Sequence, residues 1–270
     1  MVPGEIMYHI GLSRSQLQGA RYAILPGDPA RVPKIAAFLD NAAPLAVNRE
    51  YTSWLGWLGG QPVVVCSTGI GGPSAAIAVE ELAMLGVDHM IRVGTSGGMR
   101  TDVRSGDVVI VQSAIRAEGT SHEYMPPEWP ATADFDITLA LRDAADRLGV
   151  SRHVGVVQCK DSFYGQHAPG RMPVHRMLEE KWECWLRGGC LASEMESAAL
   201  FVVGATLGVK TGAVMLVVWN QEREAAGLPQ EETHDTTKAI RVAVEAVREL
   251  LRQSEKEAGG DGLRDARSDR

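Results

Sequence analysis

The chain has 270 residues, 45% of them apolar, and its 27 basic and 34 acidic side chains give a net charge of −7. That is enough apolar material for a substantial core, and with no run of eighteen apolar residues a membrane-spanning helix is excluded. The acidic balance and the lack of a long basic run also exclude a protein that tracks a nucleic-acid backbone.

Short β-branched runs alternate with longer amphipathic segments, the pattern of an α/β fold whose strands are covered on their faces by helices. The first strand is expected at 22–25. It ends in Pro26-Gly27-Asp28-Pro29-Ala30-Arg31, a glycine turn entering a helix expected at 29–39, where free N–H groups and the positive helix end invite an anion. A strand at 62–67 runs through a glycine-rich turn, 67–74, into a helix at 73–85. Pro29 and Pro73 sit at first-turn positions, where the missing amide donor costs nothing. The strand at 89–93 carries Arg92, followed by Gly94, Thr95, Ser96, Gly97 and Gly98. Arginine grips phosphate oxygens bidentately, and small residues let a ligand approach the backbone. Neither glycine turn matches a dinucleotide or Walker fingerprint, so a small free anion fits better than a nucleotide tail.

Further strands are expected at 108–114, 154–159 and 212–219, and helices at 137–148, 174–186, 197–207 and 236–252. The charged, glycine-containing segment 254–270 is expected to be a disordered tail to a single domain spanning 1–253. Cys66, Cys159, Cys184 and Cys190 form no CxxC pair and fall mostly in segments that read as buried. The amino end has neither a positive start nor an apolar signal core, so reduced thiols and a cytoplasmic location are expected.

Two carboxylates, Glu194 and Glu196, bracket Met195 just before the apolar helix at 197–207. Ser193 and Glu196 have the spacing of a capping box. Set beside the arginines, the carboxylates also read as a grip for a diol. Carboxylates for a diol and arginines for a phosphate together point to a sugar and inorganic phosphate.

The segments Pro26 to Arg31, Asn48-Arg49-Glu50, Cys66 to Ser74, Arg92-Val93-Gly94-Thr95 and Glu194-Met195-Glu196 occur in the order seen in the nucleoside phosphorylase-I family. The chain resembles that family from about His9 to about Leu251. The resemblance implies a three-layer α/β/α fold with a central mixed sheet and reversible phosphorolysis of a nucleoside, with inorganic phosphate as co-substrate and no required cofactor. It also implies a homo-hexamer, a trimer of dimers that share active sites. Matched by motif, Gly27, Arg31, Arg92 and Thr95 would hold phosphate, completed by Arg49 from the neighbouring subunit. His9 would cross the interface to the ribose 5′-hydroxyl. Glu196 would hold the 2′- and 3′-hydroxyls, with Met195 packed on the sugar and Glu194 shaping the pocket. Glu50, Ile70 and Ser74 match positions that hold a monovalent cation, which admits potassium without requiring it.

Cleaving a glycosidic C–N bond builds positive charge on ribose and negative charge on the base, and a catalyst must stabilise both. Phosphate held by arginines is nucleophile and counter-ion at once, so Arg92 and Glu196 are the expected catalytic residues at the sugar. Purine-specific relatives carry an acid for N7 shortly after the last core strand, where this chain has Asn220. The loop from Asp161 to His167 offers Phe163 as a wall and Gln166 as an amide for a uracil edge, so uridine is the expected substrate. Where an arginine would follow that glutamine stands Ala168, with Arg171 beyond it. Lys160 and His167 are expected to replace the missing cation, with Lys160 catalytic. Another pyrimidine or purine nucleoside is the alternative substrate. A nonenzymatic nucleoside sensor is the alternative of another class. A water-using nucleosidase would leave the three arginines without a purpose.

Overall fold

Apolar residues alternate between two faces along nearly every central strand, and this alternation makes a sheet covered on both sides. The computed structural model describes residues 5–265, with side chains described as far as Lys256. In chain order the elements are β1 (Tyr22–Pro26), α1 (Val32–Ala36), β2 (Asp40–Asn48), β3 (Tyr51–Leu58), β4 (Gln61–Cys66), α2 (Gly72–Leu85), β5 (His89–Gly98), β6 (Val108–Ala117), α3 (Thr120–Tyr124) and β7 (Ala131–Thr132). There follow α4 (Phe135–Arg147), β8 (Arg152–Lys160), α5 (Phe163–His167), α6 (His175–Arg187), β9 (Ala192–Glu194), α7 (Ser197–Leu207), β10 (Lys210–Asn220), α8 (Gln221–Ala225) and α9 (Thr237–Asp265).

Odd and even positions feed different cores. Ala23, Val64, Met90, Val109 and Met215 face a core completed by α2 and α7. Their neighbours Ile24, Val65, Ile91, Ile110 and Leu216 face a second core completed by α4 and α9. The result is the expected three-layer arrangement around a mixed sheet. β5 pairs in parallel with β10 along its whole length, and β10 is antiparallel to β6. Parallel pairing of β6 with β8 and of β8 with β9, then antiparallel pairing of β9 with β5, closes a ring. A wing of β1, β4, β3 and β2 extends from β5. Arg92 takes the register of Met90, so it points to the α2/α7 side, where the turns before those two helices meet.

The six expected strands are present, and β5 runs on to Gly98 instead of breaking at Val93. The helix expected at 29–39 is a 3₁₀ turn, Pro29–Arg31, followed by α1 alone. Pro33 has no N–H with which to carry the hydrogen bonding of the turn on into α1, and the chain leaves α1 through tight bonds from Phe38 N–H to Ile35 and from Leu39 N–H to Ala36. The hairpin of β2 and β3 was not expected; β2 is largely solvent-facing and shows no alternation to mark it. α9 does not stop at Arg252 but continues to Asp265 through residues that favour helix, such as Glu255, Lys256 and Glu257. The segment expected to be disordered from 254 is therefore helical as far as Asp265, and the expectation for 266–270 lies outside the described residues. Cys66, Cys159 and Cys190 are buried free thiols and Cys184 is exposed. Among the described residues no helix is long and apolar enough to cross a membrane.

Candidate active site

Two glycine-containing turns, after β1 and after β4, meet beside β5. The backbone stitches them together, because Thr68 N–H donates to Pro26 O and Gly69 N–H to Gly27 O, each at 2.9 Å. Gly71, the residue before α2, has φ +91°, a conformation that glycine alone adopts without strain. That turn aims its N–H at Glu196 Oε1, 2.6 Å away. The other oxygen of Glu196 takes a short hydrogen bond from Arg92 Nη2. Arg92 is buried, its Nε lies 3.5 Å from Glu194 Oε2, beyond good hydrogen-bonding distance, and its Nη1 has no partner. A Cβ on Gly27 would stand 3.6 Å from Nη1, so the unspent face of the guanidinium looks onto the first glycine turn.

Arg31 reaches the same place. Burial and the neighbouring Arg92 charge both lower its pKa, while Glu196 and Asp28 oppose them. Two guanidinium groups close enough for one charge to act on the other, an unpartnered donor on one of them and a glycine backbone facing that donor form a site for an anion. Thr95 lies half-buried three residues beyond Arg92 on β5. Burial pushes the Glu196 carboxyl above its ordinary range, against the attraction of Arg92, and the Glu194 charge adds to the push.

The capping box expected from Ser193 and Glu196 is not formed. Glu194 instead accepts from Glu196 N–H at 2.9 Å and from Ser197 N–H at 3.0 Å, serving the free amides at the start of α7. Its side chain is wholly enclosed, so it holds the backbone of Glu196 from beneath, with Arg92 beside it. Met195, between them, is half-buried.

At the other end, Lys160 is buried at the tip of β8 and donates to Ser193 Oγ at 2.6 Å. Desolvation lowers its pKa, with Glu194 the largest opposing influence. Ser193 in turn lies 2.8 Å from Gln166 Oε1. Phe163 is half exposed on α5 and packs against the His167 ring, centroids 4.3 Å apart. Burial and the Lys160 charge lower the pKa of His167. Arg171 lies over the Tyr164 ring at 5.7 Å. Asn220 is fully buried, donates to Arg100 O and Val103 O, and caps α8 through its oxygen. Trp219 donates to Glu224 Oε2 at 3.0 Å. A cavity of about 310 Å³ opens beside these groups, between Gln158, Lys160, Gln166 and Gln221 on one side and Leu178, Trp182 and Trp185 of α6 on the other.

His9 and Arg49 belong to a second cluster. His9 Nδ1 lies 2.6 Å from Glu81 Oε1, and the same carboxylate accepts from the backbone N–H of His9 and Ile10. Asn48 Nδ2 donates to His9 O at 2.8 Å. The segment is thus anchored rather than frayed. Arg49, at φ +54° in the β2–β3 turn, lies over the Tyr8 ring at 5.5 Å. Around them Ile6, Tyr8, Val47 and Ile70 are 63–78% exposed, a large apolar surface for one subunit. Sequence reasoning missed Glu81, Gly71 and Asn48 as positioning groups. Glu81 alone left a signal, as a carboxylate on the apolar face of an otherwise aliphatic helix.

The phosphorylase superfamily model matches residues 21–253. The chain belongs to the phosphorylase superfamily. It is 56% identical to the uridine phosphorylase of Treponema pallidum (strain Nichols), over 91% of this chain and 95% of that one. It is 44% identical to the uridine phosphorylase of Escherichia coli (strain K12), over 91% and 98% of the two chains. A guanosine phosphorylase of Halorubrum lacusprofundi is 37% identical over 84% and 93%.

Of the three residues expected at a cation site, Glu50 and Ser74 are in contact. Glu50 Oε1 accepts from Ser74 Oγ at 2.7 Å, and that bond is the largest influence holding the Glu50 pKa below its ordinary value. Ile70 lies in the turn between them with its side chain exposed. A carboxylate, a hydroxyl and a backbone carbonyl are hard oxygen donors of the kind an alkali cation takes. Among the described residues no cluster of three His, Cys, Asp or Glu side chains could hold a metal.

Gly94 tests the placement of Arg92. A Cβ there would stand 2.9 Å from Arg92 Nη2 and 2.4 Å from Met215 Sδ. Gly94→Ala is expected to displace the guanidinium and raise the KM for phosphate at least about tenfold, since one misaligned charge-assisted bond is worth that much. Steady-state kinetics against phosphate, with the melting curve as a control for folding, checks it.

Proposed function

We propose that this chain is a uridine phosphorylase, converting uridine and phosphate to uracil and α-D-ribose 1-phosphate. The observation that carries the reading is Arg92: one guanidinium pairs with Glu196 and turns an unspent donor toward Gly27 and Arg31. The anion site and the diol site thus share a residue. Phosphate bound by Arg31, Arg92, Gly27 and Thr95 attacks C1′ as the bond to N1 breaks. The arginines hold its negative charge beside the developing oxocarbenium. Glu196 takes the 2′- and 3′-hydroxyl protons as hydrogen bonds, and Met195 packs on the sugar. The electron pair of the broken bond leaves with the base, and the proton that hydrogen phosphate loses on becoming the ester balances the one that the base takes up as uracil. Gln166 reads its edge, Phe163 walls it, and His167 stands with Lys160 in place of the missing arginine. Lys160 is the buried cation at that end, stabilising the departing charge.

The most similar relatives support uridine. A purine needs an acid near N7, and Asn220 is committed to α8 and offers none. Arg49 and His9 stand in the second cluster, so each would serve the site of a neighbouring subunit, with Ile6, Tyr8, Val47 and Ile70 covered in the dimer. Three such dimers make the hexamer that the resemblance implies. Glu50, Ser74 and the Ile70 carbonyl would hold potassium at the same interface, where the ion would neutralise carboxylate charge between subunits. The enzyme is placed in the cytoplasm, salvaging pyrimidine nucleosides, with no nucleic-acid or membrane partner.

Uracil release from uridine with and without phosphate, with adenosine, inosine and thymidine alongside, tests the reading. Phosphate-dependent cleavage of uridine is expected. Phosphate-independent cleavage, preference for a purine, or no cleavage would overturn it. The pH profile follows from Glu196, whose raised pKa means that the ionised form needed to accept from the diol is lost as pH falls through that raised value. The acid limb of kcat/KM for uridine is therefore expected above the range of an exposed glutamate, and Glu196→Gln is expected to remove the limb with most of the activity. Shared sites are checked by mixing inactive Arg49→Ala and Glu196→Ala chains. Hybrid dimers are expected to recover part of the activity once subunits exchange, and no recovery despite demonstrated exchange counts against sharing.

A further inference from the structure

The base end of the site contains a chain of hydrogen bonds that phosphate and ribose binding leave unused. Ser193 Oγ, buried in β9, lies 2.6 Å from Lys160 Nζ, 2.8 Å from Gln166 Oε1 and 2.8 Å from Gln158 Oε1. Gln166 Nε2 continues the chain to Gln221 Oε1 at 3.0 Å. We propose that Ser193 is a positioning residue that fixes the orientation of the Gln166 amide, and through it the choice of a uracil edge over a cytosine edge. The inference rests on the uridine reading and extends it to the source of base selectivity.

An ammonium only donates, so Ser193 accepts from Lys160 and its single proton is left for an amide oxygen. A primary amide has two donors and two acceptor lone pairs. In Gln166 the Ser193 hydroxyl takes one lone pair and Gln221 takes one N–H. One acceptor and one donor then remain side by side, the complement of uracil N3–H next to a carbonyl oxygen. Cytosine presents the reverse, an acceptor N3 beside an amine donor, and to meet it the amide must invert. The hydroxyl proton serves one amide at a time. Gln158 Oε1 stands at the same 2.8 Å as Gln166 Oε1, so an inverted Gln166 gives up that proton to Gln158. Inverting Gln166 therefore moves the proton and requires Gln221 to turn with it. Three coupled amides anchored on one buried ammonium resist a base of opposite polarity, which a single glutamine on a short helix would not.

The test compares Ser193→Ala with the conservative Ser193→Thr in the full-length enzyme. KM and kcat for uridine, KM for phosphate, and inhibition by uracil and by cytosine are measured. Ser193→Ala is expected to raise the uridine KM about tenfold, the worth of one oriented hydrogen bond, with a smaller change in kcat and an unchanged phosphate KM. Cytosine should become an inhibitor closer in strength to uracil, and Ser193→Thr should restore the wild-type pattern. If Ser193→Ala fails to fold, Ser193→Cys keeps the volume and weakens only the donor, and the same ratio is read. An unchanged uracil-to-cytosine ratio overturns the proposal, as does a parallel loss against uridine and phosphate that threonine does not rescue. Wild-type enzyme is assayed first: if it does not cleave uridine with phosphate, the functional reading fails, whereas normal wild-type cleavage with an unchanged ratio in the variants removes only the role of Ser193.

Discussion

The buried ion pair between Arg92 and Glu196 is the constraint on which the rest of the site depends. Burying either charge alone is costly, and removing one partner of such a pair typically costs about 3–5 kcal/mol. Each group is therefore held by more than the other. Glu196 has the Gly71 amide, Arg92 has Glu194 beneath it, and Glu194 is fixed by the amides that open α7. The surroundings are shaped to admit this cluster. Gly94 leaves room for the guanidinium, and Gly27 leaves its outer face open to a ligand. A pair satisfied on one side and unspent on the other is poised for an incoming anion, because its desolvation has already been met by the fold.

The two ends of the site stand on different supports. The sugar and phosphate groups come from β5, from the start of α7 and from turns stitched by backbone hydrogen bonds, all set between the two cores. The base groups Phe163, Gln166 and His167 lie on α5, a single short helix, next to α6, none of whose residues is fully buried. What orders this end is polar: Lys160 and Ser193, on strands, reach out to Gln166. Charge stabilisation, which tolerates little misplacement, is thus built on the rigid sheet. Base recognition is carried by side chains tethered to it.

The fold was legible where burial imposes a period. The central strands and α2, α4, α7 and the core of α9 follow from alternation and from helical spacing. The β2–β3 hairpin was not, because β2 lies at an edge with no buried face to write a pattern. In the site, Arg31, Arg92 and Glu196 were legible because arginine beside glycine and carboxylate beside an apolar helix are costly placements without a ligand. Glu194 and Asn220 both serve backbone amides at helix starts, a use that sequence does not tell from a polar group offered to a substrate. Ser193 was read as a cap and is instead a relay, since its partners Lys160, Gln158 and Gln166 are brought to it only by pairing of β8 with β9.

The second cluster bears on the proposed sharing of sites between subunits. Glu81 spends a buried carboxylate on His9 and the chain beside it, and Arg49 is held at positive φ in a hairpin turn. Among the described residues no hydrogen bond or ion pair joins His9 or Arg49 to Arg31, Arg92 or Glu196. On the proposed reading, a second copy of the chain would cover the exposed apolar side chains around them. Contact between Gly69, Ser74 and Glu50 joins that cluster to the back of the phosphate turn. Assembly at this face would therefore bear on the geometry of the anion site as well as complete its ligands.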